Sequence, residues 1–466
     1  MKKNLLRSTF AFALAGVLAT VSLVADPPPE PKPVGENLPF KSMTLENGLE
    51  VIVIEDYTVP LVTIDIAVRN GSFTEPDEFA GLSHLYEHMF FKANAVYPSQ
   101  EAFMNRVKEL GVSYNGYTSD ELVNYFFTLP SGNLKEGMEF MAAAIMTPKF
   151  DSDELVKERQ VVLGEFDRNE AQPQFVLRYA LDSAVWMPYV SRKQPLGQRH
   201  VINTATVEKM EMIQKRFYVP NNSALIVSGA VNADEVFQYA MKYLSGWERG
   251  ADPFPTYDPP KFPPLKSKLI VREAAVPNAL VRMFWHGPSV LKDEPDPYIA
   301  DILFTMVNQP TSRFYRELVD SGLVTDLYLG YQSARNTGEI ALYATAIPEK
   351  AKKAIEVIKR ELQAMTKPGY FTNEDLEIAK QIMADNRVFE RENIYNFTIR
   401  TVAFWWSVAG GLDYYDGLIE NYNKVSQKQT QEFVQDFIVG KPFVLGVGAK
   451  GELLDNLNIR SEDLKW

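Results

Sequence analysis

The chain has 466 residues, 46% hydrophobic, 12% aromatic and 23% charged, fractions that exclude a disordered, collagen-like or coiled-coil protein. It contains no cysteine and carries a net charge of −12. Disulfides, thiolate zinc fingers, iron–sulfur clusters and cysteine nucleophiles are therefore excluded, and a phosphate-tracking nucleic-acid surface is not expected. Any metal must be held by imidazole and carboxylate, and there are only four histidines: His84, His88, His200 and His286.

Read in chain order, Lys2, Lys3 and Arg7 precede an apolar run over 10–25. That layout predicts a secretory signal peptide over 1–25, since the run is short for a stable membrane span. An exported, acidic chain without cysteine is expected in a bacterial periplasm or secreted. The proline-rich stretch 26–45 reads as an N-terminal tether. No later run is long enough to cross a bilayer, so no integral span is expected after signal cleavage.

A first domain is expected over 46–245. It opens with strands at 49–54 and 62–68, then a polar turn at 70–78 and an apolar helix at 81–91. Helices are predicted at 100–110, 134–146, 153–169 and 234–244. A proline cluster places an interdomain linker at 246–265. The second domain, 266–466, opens in the same style, with strands at 268–271 and 280–285, a turn at 288–296 and a helix at 298–307. Further helices are predicted at 312–319, 351–365 and 373–389. The parallel openings suggest a weak internal duplication. The expected class is α+β: two homologous domains, each a mostly antiparallel sheet packed with helices, the second without a zinc motif.

The chemistry concentrates in Gly81-Leu-Ser-His84-Leu-Tyr-Glu87-His88-Met-Phe. At about 100° per residue, Glu87 falls about 60° behind His84 and His88 about 40° ahead of it. All three side chains thus leave one helical face. Two neutral imidazoles at this spacing can grip one zinc ion, and the intervening carboxylate can act as base toward a water nucleophile. With 4 histidines and 60 acidic residues in 466 positions, the pattern arises by chance about 0.004 times. An ordinary helix with two core histidines would leave Glu87 awkward to bury.

Zinc needs a third protein ligand, and no histidine lies near in sequence, so a carboxylate is expected. The stretch Asp151 to Glu165 reads as a helix capped by Asp151, with Glu154 closing a capping box. Glu158 and Glu165 stand seven apart on one face. One could bind the metal while the other supports a ligand, and the spacing alone does not say which. His200 reads as a surface-loop residue, and His286 as a structural residue ending a strand. The run Phe404-Trp405-Trp406 reads as helix packing or domain contact.

His-x-x-Glu-His is the inverted zinc motif. Together with Asn115-Gly116-Tyr117-Thr118, the acidic helix, Phe217-Tyr-Val-Pro-Asn-Asn222 and Ser312-Arg-Phe-Tyr-Arg-Glu-Leu318, it makes the chain resemble the pitrilysin family of metallopeptidases. The resemblance spans nearly all of the chain after the leader. It implies a metallohydrolase fold of the mitochondrial processing peptidase type and a zinc-dependent endopeptidase acting on unfolded peptides in a closed chamber. It makes His84, His88 and Glu165 the zinc ligands, Glu87 the catalytic base and Glu158 the supporting glutamate.

The resemblance also implies that substrate pairs with an edge strand at Asn115 and Gly116. The family usually has alanine after that asparagine, and glycine keeps the backbone groups while loosening the strand. In the second half, catalytically complete members carry an arginine followed seven residues later by a tyrosine, which steady the transition-state oxyanion. Here Val319 and Thr325 stand in their place. The expectation is a zinc-bearing subunit whose homologous partner supplies the Arg/Tyr pair. The alternative is a non-catalytic scaffold or interaction subunit of a larger assembly.

Overall fold

The apolar runs of the first half assemble into a six-stranded sheet in the computed structural model, which describes residues 40–254 and 261–466. Its strands are β1 (Phe40–Thr44), β2 (Glu50–Glu55), β3 (Leu61–Val68), β4 (Ser113–Thr118), β5 (Val123–Pro130) and β6 (Ser223–Gly229). They lie in the order β1-β2-β6-β3-β5-β4, with β2 and β6 parallel and every other neighbouring pair antiparallel. The second half builds β7 (Lys268–Glu273), β8 (Ala279–Gly287), β9 (Val324–Gln332), β10 (Gly338–Ala346) and β11 (Val444–Ala449). Their order is β7-β11-β8-β10-β9, with β7 and β11 the parallel pair. Set β1 aside and the two sheets share one strand order. The faint repeat in the sequence is therefore a repeat of topology.

Helices cover both sheets. They are α1 (Leu82–Phe90), α2 (Gln100–Leu110), α3 (Leu134–Met146), α4 (Ser152–Glu170), α5 (Phe175–Trp186), α6 (Arg199–Asn203), α7 (Val207–Phe217), α8 (Ala233–Leu244) and α9 (Asp296–Val307). Longer ones follow at Ala351–Met365, Asn373–Phe389 and Gln427–Phe437. On β2, Val51 and Val53 face the first half's own helices, while Ile52 and Ile54 face the second half. Both faces are thus buried, which explains continuous Val/Ile runs where a half-exposed strand would alternate.

The halves exchange helices. From the first half, α5 lays Leu177, Leu181 and Val185 on the second sheet, against Ile270, Leu280, Phe284 and Val444. Two glycines of β11 make room for it: a Cβ on Gly446 would stand 2.5 Å from Leu181 Cδ2, and one on Gly448 2.7 Å from Leu177 Cδ2. In return, Phe397, Val402 and Trp406 of the second half pack on Ile52, Ala67 and Ile226. Trp406 Nε1 donates to Glu50 Oε2 at 2.8 Å, and the Arg69 guanidinium lies 4.0 Å above the Trp406 ring. Residues from 40 onward, both sheets included, pack as one unit.

Three expectations change. The tether at 26–45 overlaps β1, whose five residues pair with β2 and whose Phe40 stacks on Phe397. Residues 40–45 contain no proline, and pairing with β2 and the partly buried Phe40 ring order them as a strand; residues before 40 lie outside those described, as does the expected signal peptide. The linker at 246–265 is not free where it is described: Trp247 is buried, and the Phe262 ring packs 4.9 Å from Trp186. The helix expected at 312–319 is a short α-turn, Arg313–Tyr315, widening into a π-helical turn, Arg316–Asp320, that seats Leu318 in the core. Among the described residues, no helix is long and apolar enough to cross a membrane.

Between the halves, Asp65 of β3 is fully buried, and its Oδ2 accepts Asn124 Nδ2 at 3.2 Å, its one side-chain partner among the described residues. Burial raises its pKa well above the ordinary value, the Asn124 bond opposing. The native state thus keeps a proton that the unfolded chain releases above about pH 4. Wild-type stability falls as pH rises toward the native pKa, whereas asparagine does not titrate. The Tm advantage of Asp65→Asn over wild type is expected to widen by a few degrees between pH 5 and pH 8. A pH-independent difference in thermal melts contradicts this.

Candidate metal centre

α1 is amphipathic in the required sense. Leu82, Leu85, Tyr86, Met89 and Phe90 enter the core, leaving His84, Glu87 and His88 on the opposite face. Its start is fixed by a residue the motif does not include. The buried Glu75 carboxylate accepts the Gly81 N–H at 2.7 Å and the Ser83 N–H at 2.5 Å, satisfying donors that a helix N-terminus leaves orphaned. Burial pushes the Glu75 pKa up to about 7 against these bonds. Gly81 has a φ of 95°, and a Cβ there would stand 2.5 Å from the Leu196 carbonyl, so only glycine lets the 194–198 loop pass under the helix start.

α4 supplies the carboxylates. Asp151 caps it, accepting the N–H groups of Asp153 and Glu154 at 2.9 and 3.0 Å. The expected capping box does not form, because Glu154 turns to Lys157 at 2.5 Å, a closer charged partner one turn along. Leu155, Val162 and Phe166 bury one face, and Glu158 and Glu165 meet α1. Glu165 Oε2 lies 3.5 Å from His84 Nε2, and its Oε1 lies 4.0 Å from His88 Nε2. Glu158 Oε2 lies 3.2 Å from His88 Nδ1, and Glu158 Oε1 is 2.7 Å from Lys92 Nζ.

The electrostatics separate the two imidazoles. Burial, reinforced by His88, lowers the His84 pKa to about 3, so His84 is neutral with a lone pair available. Burial also works against His88, but the Glu158 hydrogen bond and the charges of Glu87 and Glu165 outweigh it and hold its pKa above the ordinary value. Burial pushes the Glu87 carboxyl up, opposed by Thr118, whose Oγ1 donates to Glu87 Oε2 at 2.6 Å.

The donor set fits zinc. One atom each from His84, His88 and Glu165 lies within 4.8 Å of the others. A tetrahedral ion with bonds of about 2.1 Å sets its donors about 3.4 Å apart, so adjustments of about 1 Å suffice. Two imidazoles and one carboxylate leave a fourth position open. His84 Nδ1 is buried without a partner among the described residues, so the polar contact of this ring is the one its Nε2 makes with Glu165.

The remaining sequence candidates fall into place around this cluster. Asn115 and Gly116 lie on β4, the open edge of the first sheet, with Asn115 exposed. Gly116 sits behind Glu87: a Cβ there would stand 2.6 Å from Glu87 Cγ. His200 is exposed on the short helix α6 and is not among the clustered donors. His286 ends β8, its Nε2 2.9 Å from the Val185 carbonyl and its ring stacked on Trp186. Sequence reasoning missed Glu75, Lys92 and the role of Thr118. Of these only Lys92, four residues beyond His88, had a periodic signal.

Because the group that would meet an alanine Cβ is a flexible side chain, Gly116→Ala should fold with a Tm within a few degrees of wild type. Glu87 should swing away from Thr118 in its crystal structure. An unmoved Glu87 contradicts the assigned role of the missing Cβ.

Comparison with known proteins agrees with this geometry. Residues 50–197 match the family described as insulinase (peptidase family M16), and residues 204–383 match the peptidase M16 inactive domain. The chain is 28% identical over 249 residues to the insulin-degrading enzyme homolog of Dictyostelium discoideum, covering 51% of this chain but only 24% of that protein. It is 24% identical over 349 residues to the zinc protease PqqE of Helicobacter pylori, covering 73% of this chain and 77% of that one. The crystal structure of the periplasmic protease PqqL from Escherichia coli superposes with a TM-score of 0.76 at 18% identity, over 92% of this chain and 50% of that one. With the two matches laid end to end across both sheets, the chain belongs to the M16, or pitrilysin, family in its two-domain bacterial form.

Proposed function

We propose that this chain is the zinc-bearing subunit of a metalloendopeptidase that hydrolyses unfolded peptides. The observation that carries the reading is the α1–α4 seam, where His84, His88 and Glu165 converge with Glu87 beside them. Zinc, when bound, supplies a Lewis acid that polarises the scissile carbonyl and lowers the pKa of the attacking water. The chain's own residues do the rest. Glu87, its carboxyl raised by burial, takes a proton from the water and returns it to the departing amine. The β4 edge at Asn115 and Gly116, where the Gly116 N–H is held by the neighbouring Asn115 Oδ1 at 3.0 Å, can receive an extended peptide, reading its main chain more than its side chains.

The second half offers no oxyanion partner at the places the family uses. Val319 packs against the core, and Thr325 Oγ1 donates to the Thr345 carbonyl at 3.2 Å. Arg313, nearby, is engaged by Glu361 at 2.9 Å. A homologous subunit would supply the arginine and tyrosine, closing a chamber over the zinc face. The match to half of the PqqL chain supports a working unit twice this length. The basic, then apolar, N-terminal sequence and the periplasmic setting of PqqL support export to a periplasm.

Glu87→Gln should leave about one zinc per chain, measured by elemental analysis, and lower peptide hydrolysis at least about 100-fold. Activity within tenfold of wild type contradicts the assigned base. Cleavage by the chain alone should rise sharply when a homologous subunit is added, and equal rates contradict the division of labour. Absence of zinc from pure protein favours the scaffold reading.

A further inference from the structure

The two oxygens of the Glu158 carboxylate meet different partners. Oε2 faces His88 Nδ1 at 3.2 Å, and Oε1 faces Lys92 Nζ at 2.7 Å. Lys92 lies just past the end of α1, four residues beyond His88. Its side chain is 15% exposed and that of Glu158 10%, so ammonium, carboxylate and imidazole form a row shielded from water. Arg168, which reaches Glu165 Oε1 at 3.3 Å, is by contrast 74% exposed.

Two physical consequences follow. With Oε1 held by the ammonium, Oε2 is the oxygen left to accept the His88 Nδ1 proton, and that tautomer puts the lone pair on Nε2, the atom facing Glu165. The fixed positive charge also offsets a crowd of carboxylates, because Glu87, Glu158 and Glu165 all border the two imidazoles.

We infer that Lys92 is a positioning residue: by clamping Glu158 it fixes the ring and tautomer of His88 for metal binding. This rests on the zinc reading above. It involves no contact between Lys92 and substrate.

The test uses the full chain and needs no peptidase activity. Zinc affinity is measured by chelator competition, and coordination geometry by the absorption spectrum of the cobalt-loaded protein. Lys92→Met, which keeps the aliphatic stem, should weaken zinc binding about 10–100-fold and alter the cobalt spectrum, with the metal-free Tm within a few degrees of wild type. Lys92→Arg should restore most of the affinity. Glu158→Gln should cost a similar factor, and the double variant Lys92→Met/Glu158→Gln little more than either alone, because both act through one contact. Wild-type affinity in Lys92→Met overturns the inference, as do additive losses in the double variant. A wild-type chain that binds no zinc overturns both this inference and the peptidase reading, whereas tight wild-type binding with an unaffected Lys92→Met overturns this inference alone.

Discussion

Everything at the candidate site depends on one seam, where the imidazole face of α1 meets the carboxylate face of α4. Partly buried carboxylates and imidazoles must satisfy one another or a cation, because water does not reach them freely. Glu158 is satisfied within the protein, by His88 Nδ1 and Lys92. Glu165 is not satisfied to the same degree: its distances to His84 and His88 Nε2, 3.5 and 4.0 Å, exceed a good hydrogen bond. They suit donors arranged about an ion. That asymmetry between two glutamates seven residues apart supports the proposed division between a supporting Glu158 and a ligating Glu165.

The rest of the fold holds the seam still. α1 is gripped from below by its aromatic core face, with Tyr86 stacked on Tyr218 and Phe90 on Tyr125 at ring separations of 4.1 and 3.9 Å. Glu75 fixes its first turn from the side. β4 stands against it from the front, touching Glu87 through Thr118 and leaving room through Gly116. The strand proposed to receive a peptide is thus also the strand that positions Glu87, the proposed base. The exchange of α5 for the Phe397–Trp406 region makes the two sheets one body, so this geometry is braced by residues far away in sequence.

Much of this was legible in the sequence. Helices with a clear 3.6-residue period, such as those at Gln100–Leu110 and Ala351–Met365, have the bounds that the period gives. The histidine motif places its own side chains, since spacing on a helix is geometry. Tertiary partners were not legible. Glu75 sits in a polar turn and gains its role only where Gly81 and Ser83 come to it. β4, Ser-Tyr-Asn-Gly-Tyr-Thr, lacks the apolar alternation of a buried strand because it is an edge. The glycines of β11 look like weaknesses in a strand until Leu177 and Leu181 of a distant helix fill them. Glu154 shows the limit of local rules, since a capping box and an ion pair with Lys157 compete for one side chain.

The central claim is that His84, His88 and Glu165 together make a zinc site with one position left open. X-ray absorption spectroscopy of the zinc-loaded chain tests it directly. The account predicts a shell of nitrogen and oxygen at about 2.0–2.2 Å, with the multiple-scattering signature of two imidazoles, reduced to one imidazole in His84→Ala. A shell without imidazole scattering, or one unchanged in His84→Ala, contradicts it.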